Sequence, residues 1–251
     1  MRRISILNFK GGTGKSSLTE NLSYALALRG RRVLVIDCDR QHNSSTTLLG
    51  AEPEPPTLTR VLKREVDIQQ AIRQAREQLD VLPADTDLDT ASSYLLIHHQ
   101  AFKALDKATH QLDYDYIFYD HAGAYTPVME AALLASDEML IPCELEAYAV
   151  QGLFSMFQKL QETLEDHEIK NAGIIPYAID MRFSITRQYL EELREEFNGL
   201  VLPAIRTDSS ITLAQSHQQT IFEYEAEQRI KSRAADDFKA LAAQIDQEAH
   251  A

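Results

Sequence analysis

Tryptophan is absent from this chain, cysteine occurs twice, and glycine occurs only nine times in 251 residues. Two cysteines cannot make the disulfide framework of a small secreted domain. Cys38 and Cys143 each fall inside an apolar run, where a reduced, packed thiol is expected. No apolar run approaches the roughly 20 residues that span a bilayer. The stretch behind Arg2 and Arg3 is too short for the hydrophobic region of a secretion signal. A cytoplasmic protein without a membrane partner is therefore expected. Positive charge is scarce as well, with 25 Lys and Arg against 38 Asp and Glu, a net charge of −13. That argues against a surface basic all round, the footprint of a protein wrapped in nucleic acid, and leaves room for a local basic patch. The length predicts one domain over 1–251 with a substantial core.

What is present is regular alternation. Apolar runs of about five to seven residues are separated by segments of helical period. The runs are "RISILNF", "RVLVIDCD", "LDVLPA", "YDYIFYD", "DEMLIPC", "AGIIPYAI" and "GLVLPAI". They are nearly continuous, as strands buried on both faces of a parallel sheet should be. Residues 14–29 carry Leu18, Leu22, Ala25, Leu26 and Leu28 on one stripe, with Gly30 as a stop. Further helices are predicted at about 88–111, 127–135, 146–166, 184–197 and 228–247, and "AEPEPP" at 51–56 as a turn-rich loop. The fold class that follows is α/β, a doubly wound, mostly parallel sheet flanked by helices, with ligands at the carboxyl ends of the strands.

Three of the nine glycines sit together in "NFKGGTGKSS", residues 8–17, directly behind the first apolar run. A phosphate loop opens with Gly, runs four residues and closes with Gly-Lys-Ser/Thr. Here Phe9 stands at the opening position and a second lysine, Lys10, follows it. Gly11, Gly12 and Gly14 free the backbone, so that amides of the loop, Thr13 included, can converge on phosphate oxygens with those opening the next helix. Lys15 supplies charge for the β- and γ-phosphates, Ser16 a hydroxyl for Mg²⁺, and Ser17 continues the cradle. Carboxylates end two of the strands. "VLVIDCD" finishes in Asp37 and Asp39, on one face by alternation, and "YIFYD" finishes in Asp120. A nucleoside triphosphatase needs a carboxylate around Mg²⁺ and a group to orient the attacking water. Asp120 suits the first role. Asp39, farther out than Asp37, suits the second and lies within reach of the metal shell.

With these motifs in view the chain resembles, over nearly its whole length, the ParA/MinD-type partition and positioning ATPases of the deviant Walker A class, and its ParA-like subgroup in particular. "KGGTGKSS" resembles the deviant loop, "VLVIDCDRQHNSS" the second motif with Gln41 and Asn43 in a first switch, and "YDYIFYDHAGAY" the Walker B strand and second switch. The tail 209–245 is similar to the family's closing pattern of a short helix, an aromatic-acidic turn and a last helix. The resemblance implies a phosphate-loop NTPase fold, ATP and Mg²⁺ as cofactors, and a homodimer bridged by ATP. Lys10 would reach the partner's phosphates, Asp39 would orient the hydrolytic water, and Gly123 would give its amide to the γ-phosphate. It also implies non-specific binding of nucleoid DNA, nucleoid association, and a ParB-like or other cargo adaptor that stimulates hydrolysis. The cargo would be a plasmid, a chromosome origin, or a protein assembly such as a carboxysome or chemoreceptor cluster. Arg182, in a "DMR" similar to the family's Asp-x-Arg stretch, joins Arg187, Arg206, Arg229, Lys231 and Arg233 as the candidate DNA contacts. Three departures stand out. Arg40 replaces a proline, His121-Ala122-Gly123 replaces Thr-Pro-Pro, and Ser210 aligns with an arginine. The alternatives are a membrane-bound regulator, against which the tail lacks a basic face, and a metal-cluster or metabolic ATPase, for which no Cys-x-x-Cys is present.

Overall fold

In the computed structural model, residues 1–164 and 167–248 are described. β1 (Arg2–Ile6) runs through the glycine loop into α1 (Lys15–Ala27) and on to β2 (Val33–Cys38). Short helices α2 (Asn43–Leu49), α3 (Leu58–Leu62) and α4 (Ile68–Ala71) precede a hairpin, β3 (Arg73–Arg76) and β4 (Leu79–Leu82). Then come α5 (Leu88–Ile97), α6 (Ala104–Thr109), β5 (Tyr116–His121), α7 (Pro127–Leu134), β6 (Glu138–Cys143) and α8 (Ala149–Leu164). β7 (Lys170–Ile179), α9 (Ser184–Glu196), β8 (Ile205–Arg206), α10 (Ser209–Ser216), α11 (Ile221–Gln228) and α12 (Arg233–Glu248) complete the order.

The strands form one eight-stranded sheet in the order β3-β4-β2-β5-β1-β6-β7-β8. Every pairing is parallel except that of β3 with β4. β1 lies at the centre with β5 and β6 on either side, so the loop after β1 opens between neighbours covered on both faces. One face packs Ile4, Ile6, Val35 and Phe118 against α1 and α12, through Leu22 and Phe238. The other packs Leu34, Ile36 and Tyr119 against α5 and α7, and Leu7 and Ile141 against α8 and α9. All six residues of β2 are buried, which is why its sequence is continuous and not alternating. Register places Asp37 of β2 directly beside Asp120 of β5.

Several expectations need correction. Leu28, placed on the core stripe of α1, lies past its end and is exposed. The helix expected over 88–111 is broken by a 3₁₀ turn at His99–Ala101. Its apolar positions keep helical spacing through Leu95, Phe102 and Leu105, all buried, while the polar His98-His99-Gln100 gives no anchor and the chain bends there. The aromatic-acidic "turn" of the tail is the helix α11, whose Thr220 and Glu223 form a capping box. Arg229, in the left-handed conformation, ends it, so α12 begins at Arg233 and not at 228. "GLVLPAI" puts only its last residue into a strand, β8, plus one bridge from Val201 to Ile174, because Pro203 cannot donate to a ladder. The last two positions of the helix expected over 146–166 lie outside the described residues.

Candidate active site

The loop between β1 and α1 is built by backbone geometry. Gly12 and Gly14 have φ of 77° and 83°, a region costly for residues with a Cβ. Gly14 caps α1 without any side-chain hydrogen bond, so the first amides of α1 are left for an external acceptor. Lys15 is buried, and its Nζ donates to the carbonyl of Lys10 at 3.0 Å. Burial holds its pKa below the ordinary lysine value, against the opposing charges of Asp120 and Asp39. Thr13 is buried and donates to the same carbonyl at 3.4 Å. Ser16 is half-buried at the mouth beside Asp120, while Ser17 turns inward.

The acids divide. Asp37 accepts from the Asp39 amide at 3.0 Å and from the Ser45 amide and hydroxyl at 2.9 and 2.6 Å. It is fully buried, and burial raises its pKa against those hydrogen bonds. It braces α2 against the sheet. Asp39 is only half-buried, and its Oδ1 accepts from the Gln41 amide at 3.0 Å. Asp120 is fully buried; its Oδ1 accepts from Thr19 at 3.4 Å, and its Oδ2 has no partner among the described residues. Burial raises its pKa first and the neighbouring charge of Asp37 raises it further. A buried acceptor left unmade costs about 1–3 kcal/mol. A cation with its water shell removes that cost, so the donor set fits Mg²⁺. No group of three or more His, Cys, Asp or Glu that could cage a metal exists among the described residues. Mg²⁺ would therefore be held by Asp120 and Ser16 jointly with phosphate oxygens, the usual manner of this ion.

Gly123 closes the site from the β5 side. A Cβ there would lie 3.2 Å from Gly11 Cα and 3.4 Å from its nitrogen, so the turn after β5 rests on the glycine loop. His121 points to the opposite face. Its Nε2 is 2.8 Å from Ser5 Oγ, which is 2.7 Å from Ser136 Oγ, which donates to the Ala132 carbonyl at 2.8 Å. With the Ser136 proton so committed, Ser5 donates to Ser136 and His121 donates to Ser5. Burial, and then the charge of Lys15, push the His121 pKa down to about 3. This imidazole is neutral and its proton is engaged away from the phosphates.

Lys10 is exposed, with Nζ 2.8 Å from Glu146 and 3.5 Å from Glu144, beyond the end of β6. Those carboxylates raise its pKa. Of the candidate DNA contacts, Arg182 is held by Asp180 and Arg206 by Asp237. Arg187 donates to the Met181 carbonyl at 2.6 Å. Arg229, Lys231 and Arg233 lie exposed around the α11–α12 junction with no ion pair among the described residues. Asp208, a residue near a strand end, caps α10 and accepts from Ser232 and the Arg233 amide, so it is occupied structurally. Glu144 and Glu146 carry no signal in the sequence because they meet Lys10 from a distant segment, and Ser45 carries none because its bond to Asp37 depends on how the chain turns after β2.

A family model described as an AAA domain matches residues 1–173. A ParA family protein of Chlamydia pneumoniae is 33% identical over 236 residues, covering 88% of this chain and 90% of its own. The chain belongs to the ParA family of ATPases. The chromosome partitioning protein ParA of Caulobacter vibrioides is 30% identical and covers 82% of this chain and 80% of its own. The solved cell division ATPase MinD of Pyrococcus furiosus superposes with a TM-score of 0.79 at 26% identity, over 98% of this chain and 99% of that one. This ParA-type chain is thus a partition or positioning ATPase, and cobyrinic acid a,c-diamide synthase of Mycobacterium smegmatis, 25% identical over 91% of this chain with a TM-score of 0.74, was solved with a bound ATP analogue and magnesium. No described helix is long and apolar enough to cross a membrane.

Proposed function

We propose that residues 1–251 act as one ATPase domain that dimerises around ATP, binds nucleoid DNA without sequence preference, and positions a cargo. A ParB-like or other adaptor on that cargo stimulates hydrolysis and releases the dimer. In this reading Lys15 and the amides of residues 11–17 hold the phosphates, and Ser16 and Asp120 hold Mg²⁺. Asp39 orients the attacking water within reach of the metal shell, and the Gly123 amide meets the γ-phosphate.

One observation carries the dimer. Lys15 already fills the cationic role inside its own site, whereas the Lys10 ammonium stands outside, tethered among the described residues to half-buried Glu144 and exposed Glu146. Two triphosphates brought face to face repel, and a lysine lent by each subunit offsets that repulsion. Such a dimer is closed and two-fold. Lys10→Ala should keep ATP binding and remain a single subunit in sizing runs with a non-hydrolysable analogue. Glu144→Gln with Glu146→Gln should act in the opposite direction. An exposed ion pair is worth about 0–1 kcal/mol, so freeing Lys10 should lower the ATP needed for dimerisation by up to about fivefold. A Lys10→Ala protein that dimerises like wild type would sink this reading.

For DNA, Arg229, Lys231 and Arg233 are favoured, and Arg187 after them, because Arg182 and Arg206 would first have to leave Asp180 and Asp237. Gel shifts on non-specific duplex should give binding with ATP and Mg²⁺, little with ADP, and none without nucleotide. Affinity should fall with salt at a slope of about −0.9 per phosphate contacted. Unshifted duplex in all three lanes would remove DNA from the proposal and leave the ATPase intact.

A further inference from the structure

Tyr177, near the end of β7, is tied to the phosphate loop at two points that the nucleotide chemistry above does not use. Its ring lies under Gly14 so closely that a Cβ at that glycine would come 2.2 Å from Cε1 and 2.5 Å from Cδ1. Its hydroxyl donates to Ser17 Oγ at 2.7 Å. The side chain is buried in the core on the α1 side of the sheet. Burial holds the phenol well above its ordinary pKa, so it stays protonated and remains a donor. Ser17 therefore accepts from below, and its own proton is left for another acceptor.

We infer that Tyr177 is a positioning residue for the nucleoside polyphosphate: its ring fixes left-handed Gly14, and its hydroxyl fixes the Ser17 side chain in the first turn of α1. Both effects converge on the stretch whose amides are uncapped. An anion binds most tightly where its donors need no reordering, and here β7, two strands from the central β1, supplies the brace. Tyr177 itself makes no contact with phosphate in this scheme. The inference rests on nucleotide binding at the loop and on neither dimerisation nor DNA.

The test is a double-mutant cycle of Tyr177→Phe and Ser17→Ala, read as affinity for fluorescent ADP and ATP analogues with Mg²⁺, together with kcat and KM. A neutral hydrogen bond is worth about 0.5–1.5 kcal/mol, so Tyr177→Phe should weaken both nucleotides about two- to twelvefold. KM should rise in parallel, while kcat at saturation and the melting temperature without nucleotide stay near wild type. The double variant should be no worse than the weaker-binding single one. Tyr177→Leu, which also removes the ring beneath Gly14, should weaken binding further. Wild-type affinity in Tyr177→Phe, or additive losses in the cycle, would overturn the inference while leaving the nucleotide site standing. A wild-type protein that bound no nucleotide would overturn both.

Discussion

Lys15→Ala should leave a folded protein that neither binds nor hydrolyses ATP. The lysine is buried, its ammonium is partly desolvated, and in the absence of nucleotide it is satisfied by a backbone carbonyl and by the distant charges of Asp120 and Asp39. A desolvated cation beside a triphosphate is strongly attractive. At an effective dielectric of about 20 and a separation of 4 Å the interaction is about 4 kcal/mol, or roughly a thousandfold in affinity. Equilibrium binding of a fluorescent ATP analogue and phosphate release would measure the loss. The same change should not lower the melting temperature of the nucleotide-free protein by much, because it removes a buried charge along with one hydrogen bond. A variant that melts early yet still binds ATP would show that Lys15 serves the fold and not the ligand.

Asp39→Ala should bind ATP normally, cut hydrolysis by about a hundredfold or more, and accumulate as an ATP dimer. The neighbouring acid provides the control. Asp37 accepts three hydrogen bonds in full burial, whereas Asp39 is half-exposed and accepts one from the Gln41 amide. Asp37→Ala should therefore destabilise the protein by about 2–4 kcal/mol, seen in a denaturant titration, because the Ser45 amide and hydroxyl lose their acceptor. Asp39→Ala should leave stability near wild type. Single-turnover phosphate release and light scattering with ATP would report on the chemistry. If Asp39→Ala hydrolyses ATP at the parental rate, the water-orienting role is lost.

The sheet and the loop were legible because each is written in consecutive residues. β2 and β5 read as strands since they are buried on both faces, and the glycine spacing of 11–14 needs no distant partner to be recognised. The hairpin strand β3, "RQAR", was not legible because an edge strand needs no apolar run. The bend between α5 and α6 escaped for a different reason. Periodicity reports which side of a helix meets the core and says nothing of a turn that preserves that side. In the site, residue types at strand ends announced a triphosphatase and pointed to Asp39 as the outer acid, but that Asp37 braces α2 depends on Ser45, brought to it by folding. The tether of Lys10 to Glu146 and the donation from Tyr177 to Ser17 likewise join segments more than a hundred residues apart.

The grip of Asp37 on Ser45 also limits how news of hydrolysis can leave the site. With both the amide and the hydroxyl of Ser45 bolted to the end of β2, α2 has no slack to swing as a lever. The freedom that remains belongs to residues 39–42, which carry exposed Arg40 and Gln41. A partner that senses whether the γ-phosphate is present must then read a handful of side chains at the rim, and its footprint on this part of the surface need be no wider than a single short peptide.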